Sequence, residues 1–204
     1  MKSTVLMAYM VALAGCATTS TKRLNLPPLE AVAQVDLNRY VGTWFEIASF
    51  PQWFQRGCTG TTATYTERSD GDIDVLNRCR DGSLDGEVRT GLGRARVTDR
   101  ETNAKLEVSF FRPFWGDYWV IDLDKDYQYA VVGHPGRDHL WILSRTPTMA
   151  DATYRTILGG LEVRGYDTSR LVSTPHSPMD VVQSSESNDR SRGIDRQLGK
   201  GRLR

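Results

Sequence analysis

Between Gly42 and Arg145 the chain is cut into short segments rich in Val, Ile, Thr and aromatic residues, separated by turn chemistry every ten residues or so. The segments run over residues 42–49, 59–67, 72–79, 85–97, 104–111, 118–123, 127–133 and 139–145. Asp70-Gly71, Asp81-Gly82 and Pro135-Gly136 supply the backbone freedom that tight turns need. Consecutive hairpin-linked strands at this spacing predict an all-β, eight-stranded antiparallel up-and-down barrel. Eight strands enclose an interior just wide enough for one small ligand.

One amphipathic helix follows. Thr148-Met149-Ala150-Asp151 has capping-box spacing, and Tyr154, Ile157, Leu158 and Leu161 recur at helical intervals up to a stop near Gly165. Its apolar face needs a partner. Residues 118–121 and 140–143 are apolar on both alternating faces, as expected of barrel strands with a cavity inside and a helix packed outside. A membrane-spanning barrel fits less well, because Asp74, Arg78, Arg94, Arg96, Lys105 and Glu107 break any lipid-facing band.

The two ends of the chain read differently from the middle. Residues 4–13 form an apolar run too short to span a bilayer, which is the pattern of a signal peptide over residues 1–15. It ends in Leu13-Ala14-Gly15-Cys16, which resembles the lipobox of bacterial lipoproteins. The resemblance implies that Cys16 is acylated, and three acyl chains exceed the two signals needed for stable anchoring. Ala17 stands where Asp would retain the protein at the inner membrane, so the resemblance implies the outer membrane, facing the periplasm. Residues 16–34, with Pro27-Pro28, read as a flexible spacer, residues 35–175 as the folded domain and residues 176–204 as a disordered tail. From Gln183 onward that tail carries six bases against three acids. The whole chain has 26 basic and 25 acidic side chains and a formal charge of +1, so nucleic acid is not an expected partner.

Gly42-Thr43-Trp44, after the helical lead Asp36 to Tyr40, resembles the first signature of the lipocalins, and Leu140 to Pro147 resembles the third. Asp126-Tyr127 matches the second in part, with Lys125 departing from its usual first residue. The runs Tyr40 to Ala48, Ala63 to Tyr65 and Leu106 to Phe111 are most similar to the bacterial outer-membrane branch related to apolipoprotein D. The family's pattern implies that Arg145 closes the barrel floor against Trp44, a structural pair worth about 0.5 to 2 kcal/mol as a cation–π contact.

With Trp44 and Arg145 inward, period two places Glu46, Ala48, Trp141 and Leu143 inside. Tyr65, Asn77 and Trp141 match pocket positions of the family, and alternation adds Ala63, Val75, Leu106, Val108 and Phe110, with Tyr118 and Tyr129 assigned inward on strands apolar on both faces. A cavity of this kind suits a fatty acid or lysophospholipid. At about 0.8 kcal/mol per methylene, a chain of ~14 carbons has an upper bound near 11 kcal/mol before ordering costs. Tyr65, Asn77 and Glu46 are candidates to orient its head. Trp53 and Phe54, in the first long loop, are candidate entrance residues; Phe114 and Trp115 form a second aromatic turn.

An oxidising periplasm implies a disulfide between Cys58 and Cys79, although they are not directly opposite in a hairpin centred on Asp70. His134, His139 and His176 lack the spacing of a metal site, so no metal and no cofactor is expected. No nucleophile elbow or acid pair is visible, and a binding protein rather than an enzyme is expected. The alternatives are a carrier of a sterol, isoprenoid or tetrapyrrole, or a lipid-modifying enzyme using Glu46 and Tyr65. A homodimer is compatible with the sequence.

Overall fold

The computed structural model describes residues 26–177. Cys16, the signal segment and the basic run beyond Gln183 lie outside the described residues. After a four-residue helix α1 (Leu37–Tyr40), the strands are β1 (Gly42–Ser49), β2 (Cys58–Glu67), β3 (Ile73–Asp81), β4 (Val88–Val97), β5 (Lys105–Phe111), β6 (Phe114–Leu123), β7 (Tyr129–Gly133) and β8 (Leu140–Ser144). Helix α2 (Asp151–Val163) and a two-residue strand β9 (Val172–Ser173) follow. Each strand pairs antiparallel with the next, and β1 pairs with both β8 and β2, so the sheet closes on itself. No described helix is long and apolar enough to cross a membrane.

Two apolar clusters sit on opposite faces of this wall. Trp44, Tyr65, Val75, Ala95, Leu106, Val120, Ala130, Val132 and Leu143 pack inside the barrel. Ala48, Phe50, Ile121, Val131, Leu140 and Ile142 point outward and are covered by Ile157 and Leu161 of α2. The doubly apolar strands thus serve two cores. Helix α2 begins at Asp151 with Ala150 in the cap position and no side-chain cap bond. The Thr148 hydroxyl therefore does not cap it, and Asp151 enters the first turn, where its charge favours the helix dipole.

The floor is built from residue chemistry. Gly42 enters β1 at φ +96°, a conformation that disfavours a side chain. This places Trp44 inward and completely buried, its Nε1 donating to the Tyr40 carbonyl at 2.8 Å. The Arg145 guanidinium lies 3.7 Å from the Trp44 ring centroid. It donates to the carbonyls of Thr43, Arg39, Tyr40 and Val41 at 2.7 to 3.1 Å. Burial pulls its pKa down to about 10, so it remains a cation at neutral pH.

Three elements depart from the sequence expectations. Residues 26–34 are not a free spacer. Leu29 is buried against the α2 cluster, the Val32 N–H donates to Val120 O at 2.8 Å, and Arg137 donates to Pro27 O at 2.6 Å. The boundary drawn before residue 176 shifts as well, because His176 packs edge-on against Phe45, next to β9, which adds to β1 at Ala48 and Ser49. Phe114 and Trp115 belong to β6 rather than to a turn, since the β5–β6 hairpin tightens to Phe111 opposite Phe114. Trp115 lies under the Arg96 guanidinium, whereas Phe114 is 76% exposed.

Cys58 and Cys79 form a disulfide with their Cα atoms 5.4 Å apart. Cys58 is opposite Asp81, so the register shift between Thr59 and Thr62 takes up one residue of the mismatch expected from the sequence and the bond crosses diagonally over the rest.

Candidate ligand-binding site

Above the floor the barrel encloses a cavity of about 260 Å³ that opens between the first loop and the β7–β8 turn. Its volume is slightly below the usual range for small-molecule pockets, which starts near ~300 Å³. Glu46, Ala63, Tyr65, Val75, Asn77, Val108, Phe110, Tyr118 and Trp141 line it, Tyr65 and Asn77 as the family resemblance implies and the others as expected from strand alternation. The glycines of β4 explain how Phe110 fits. A Cβ on Gly93 would stand 2.8 Å from the Phe110 ring, so only a strand without side chains there leaves the ring its place.

Ala48, Leu106 and Tyr129 are corrected. A register shift between Glu46 and Ala48 against β8 breaks the period-two pattern, which turns Ala48 outward into the cluster under α2. Tyr129 packs in the same outer cluster, because on a strand apolar on both faces alternation alone does not choose the side. Leu106 does point inward, but it is packed in the barrel core and is not among the cavity-lining residues. Parity gives the side of a strand and not the depth.

The polar groups divide into spent and unspent. The Tyr118 hydroxyl is hydrogen-bonded to those of Tyr40 at 2.8 Å and Tyr65 at 2.9 Å. Burial pushes the Tyr65 hydroxyl up to about 12, and those of Tyr40 and Tyr118 further up. All three stay neutral donors. The buried Glu46 carboxylate accepts from Ser49 Oγ at 3.1 Å, Gln55 Nε2 at 2.8 Å and Thr174 Oγ1 at 2.6 Å. Gln55 in turn accepts from Trp141 Nε1 at 3.0 Å. Glu46 is thus the hub that holds the first loop and the C-terminal segment to the barrel wall. By contrast, Thr61 Oγ1 and Asn77 Oδ1 are buried at the cavity without a hydrogen-bond partner.

The entrance residues part company. In the 3-10 turn Trp53–Gln55, Phe54 lines the cavity while Trp53 stands 77% exposed with its ring edge-on to Phe54. Leu143, placed inside with Trp141 by parity, lines the cavity. Sequence reasoning missed Gln55, Thr61, Gly116, Asp117, His134 and His139 as lining residues. His134 and His139 lie outside the two-to-four-residue spacing expected of a metal site, yet the β7–β8 turn brings their ring centroids to 5.3 Å.

A family model described as "Lipocalin-like domain" matches residues 35–176. The chain is 43% identical over 148 residues to the outer membrane lipoprotein Blc of Escherichia coli K12, covering 72% of this chain and 83% of that protein. It is 31% identical to mouse apolipoprotein D over 83% of this chain and 94% of that one. Among solved structures, insecticyanin from the tobacco hornworm superposes with a TM-score of 0.60 at 22% identity, over 76% of this chain and 88% of that chain. That last likeness concerns the fold alone. The closed barrel, its Trp44–Arg145 floor and these matches agree, and the chain belongs to the lipocalin family.

Proposed function

We propose that this lipocalin binds a fatty acid, lysophospholipid or similar single-chain lipid in the barrel and carries or stores it at the outer membrane. The observation that carries the reading is the division inside the cavity. Its walls are aromatic and aliphatic, from Val75, Val108, Phe110, Tyr118, Trp141 and Leu143, while Thr61 and Asn77 keep buried polar atoms without partners. An unpaired buried polar atom costs about 1 to 3 kcal/mol, which a ligand hydroxyl or amide recovers on binding. An apolar chain with a hydrogen-bonding head satisfies both features. A purely apolar hydrocarbon satisfies only the first.

The same residues argue for burial and release rather than bond making. Glu46 has its lone pairs engaged by three donors, and the Tyr65 hydroxyl is held far from ionisation. Neither is poised as a base. Attachment through acylated Cys16 to the outer membrane, on the periplasmic side, is supported by the Leu13-Ala14-Gly15-Cys16 motif and by relatives named as outer membrane lipoproteins. Cys58 and Cys79 suit an oxidising compartment.

The test uses the full chain carrying Cys16→Ser, handled without detergent and titrated with lysophospholipid. Saturable quenching of tryptophan fluorescence with the lipid recovered unchanged supports a carrier. Turnover of the lipid sinks the reading. Asn77→Leu should weaken lysophospholipid about tenfold and leave a plain alkane unchanged.

A further inference from the structure

The β7–β8 turn gathers chemistry that lipid burial does not use. Pro135, Gly136 and Arg137, the last at φ +58°, reverse the chain so that His134, Asp138 and His139 meet at the cavity rim. Each offers one ligand atom, and these atoms lie within 4.8 Å of one another. Asp138 Oδ1 is 2.6 Å from His134 Nδ1 and 3.0 Å from His139 Nδ1. A proton on an imidazole satisfies Asp138 as an ion pair, and a metal cation can take the place of that proton. His134 Nδ1 also accepts the Gly136 N–H at 3.0 Å, a bond that a cation on that nitrogen displaces. His139 Nδ1 is shielded from solvent with Asp138 Oδ1 beside it. Two ring nitrogens and a carboxylate oxygen this close together are a set of metal ligands already assembled.

We infer that His134, Asp138 and His139 form a binding site for a divalent transition cation of the zinc class on the wall of the cavity. Two imidazoles and a carboxylate are the ligand types that zinc prefers, and three protein ligands leave a coordination position open. Hard cations such as Mg²⁺ prefer all-oxygen sites and are poorly served here. Asp117 on β6 places a carboxylate oxygen 3.6 Å from His134 Nε2, adding negative charge beside the site. His134, His139 and Asp117 all line the cavity, so a cation on these nitrogens adds positive charge beside the space assigned to the ligand. This second consequence rests on the lipid-carrier reading: the bound cation selects chains whose head is a carboxylate or phosphate over chains with a neutral head.

The experiment is calorimetric titration of the metal-stripped full chain, carrying Cys16→Ser, with ZnCl₂. One zinc per chain is expected, weakened at least ~10-fold by the shape-conserving variants Asp138→Asn and His139→Gln and unaffected by His176→Ala, which removes the remaining histidine. Absence of saturable binding, or binding indifferent to Asp138→Asn and His139→Gln, overturns the site. Dodecanoate and monododecanoylglycerol are then titrated with and without zinc. Zinc should tighten dodecanoate several-fold and leave the neutral lipid unchanged; equal affinities with and without zinc overturn the selectivity. If neither lipid binds under either condition, the carrier reading fails while the zinc titration still decides the site.

Discussion

The two ends of the barrel are made from the same strands and solve opposite problems. At the floor, Arg145 spends its donors on four backbone carbonyls while its face covers Trp44, and Trp44 spends its own N–H on Tyr40. At the mouth, Thr61 and Asn77 keep polar atoms unpaired, and Trp53, Phe111 and Phe114 leave 70 to 77% of their surface exposed. The floor holds the closed sheet in register, and the mouth holds back interactions that a ligand or a surface can complete. Unsatisfied groups concentrate where function needs them, and the saturated end offsets their cost.

The contrast breaks most visibly at the floor. Trp44→Ala removes a completely buried indole and should cost about 3 to 5 kcal/mol in urea unfolding, with the loss of Arg145's stacking surface included. The fastener nearer the mouth is covalent. Replacing Cys58 and Cys79 together by serine opens a link across a sequence separation of 21, and should cost about 3 kcal/mol in the same assay. Trp141→Arg acts on the cavity instead. Affinity for a single-chain lipid should fall about 100-fold, read by isothermal titration, because a guanidinium replaces an apolar wall and releases Gln55.

A smaller effect is confined to alkaline pH. The Tyr65 hydroxyl is raised to about 12 by burial, against an unfolded value near ~10, so it contributes stability that is fully present below pH ~10. That contribution falls as the pH rises toward 12, because the unfolded chain ionises first. The tyrosinate absorbance owed to Tyr65, read as the difference from Tyr65→Phe, should therefore appear together with unfolding and not before it. Tyr129→Phe sits at the low end of the scale. Its ring lies outside the barrel, and lipid affinity should stay within about twofold of the parent.

Side chains that announce a local rule were legible in the sequence. The inward positions of Ala63, Val75, Val108, Phe110 and Trp141 follow from alternation, and those of Tyr65 and Asn77, like the Trp44–Arg145 floor, from the family pattern. Alternation failed at Ala48 because the bulge after Glu46 inserts a residue that no residue type advertises. Residues 26–34 and β9 were illegible for another reason. Segments that pack by a few isolated contacts, such as Leu29 or the Thr174–Glu46 bond, carry no period to detect. His134 and His139 needed a turn geometry rather than a spacing rule to be brought together.

The short strand β9 has one more consequence. Strand β1 pairs with β2 only from Gly42 to Phe45; beyond that, Ala48 and Ser49 pair with β9, and Gly60 of β2 donates to Pro175 O of the same strap. A seam between β1 and β2 would otherwise leave backbone donors and acceptors open beside the exposed aromatics. Greasy side chains next to a bare strand edge are the ingredients of intermolecular β-sheet growth. Residues 172–175 act as a zip that withholds one of those ingredients, which lets the rim stay apolar while the chain resists aggregation.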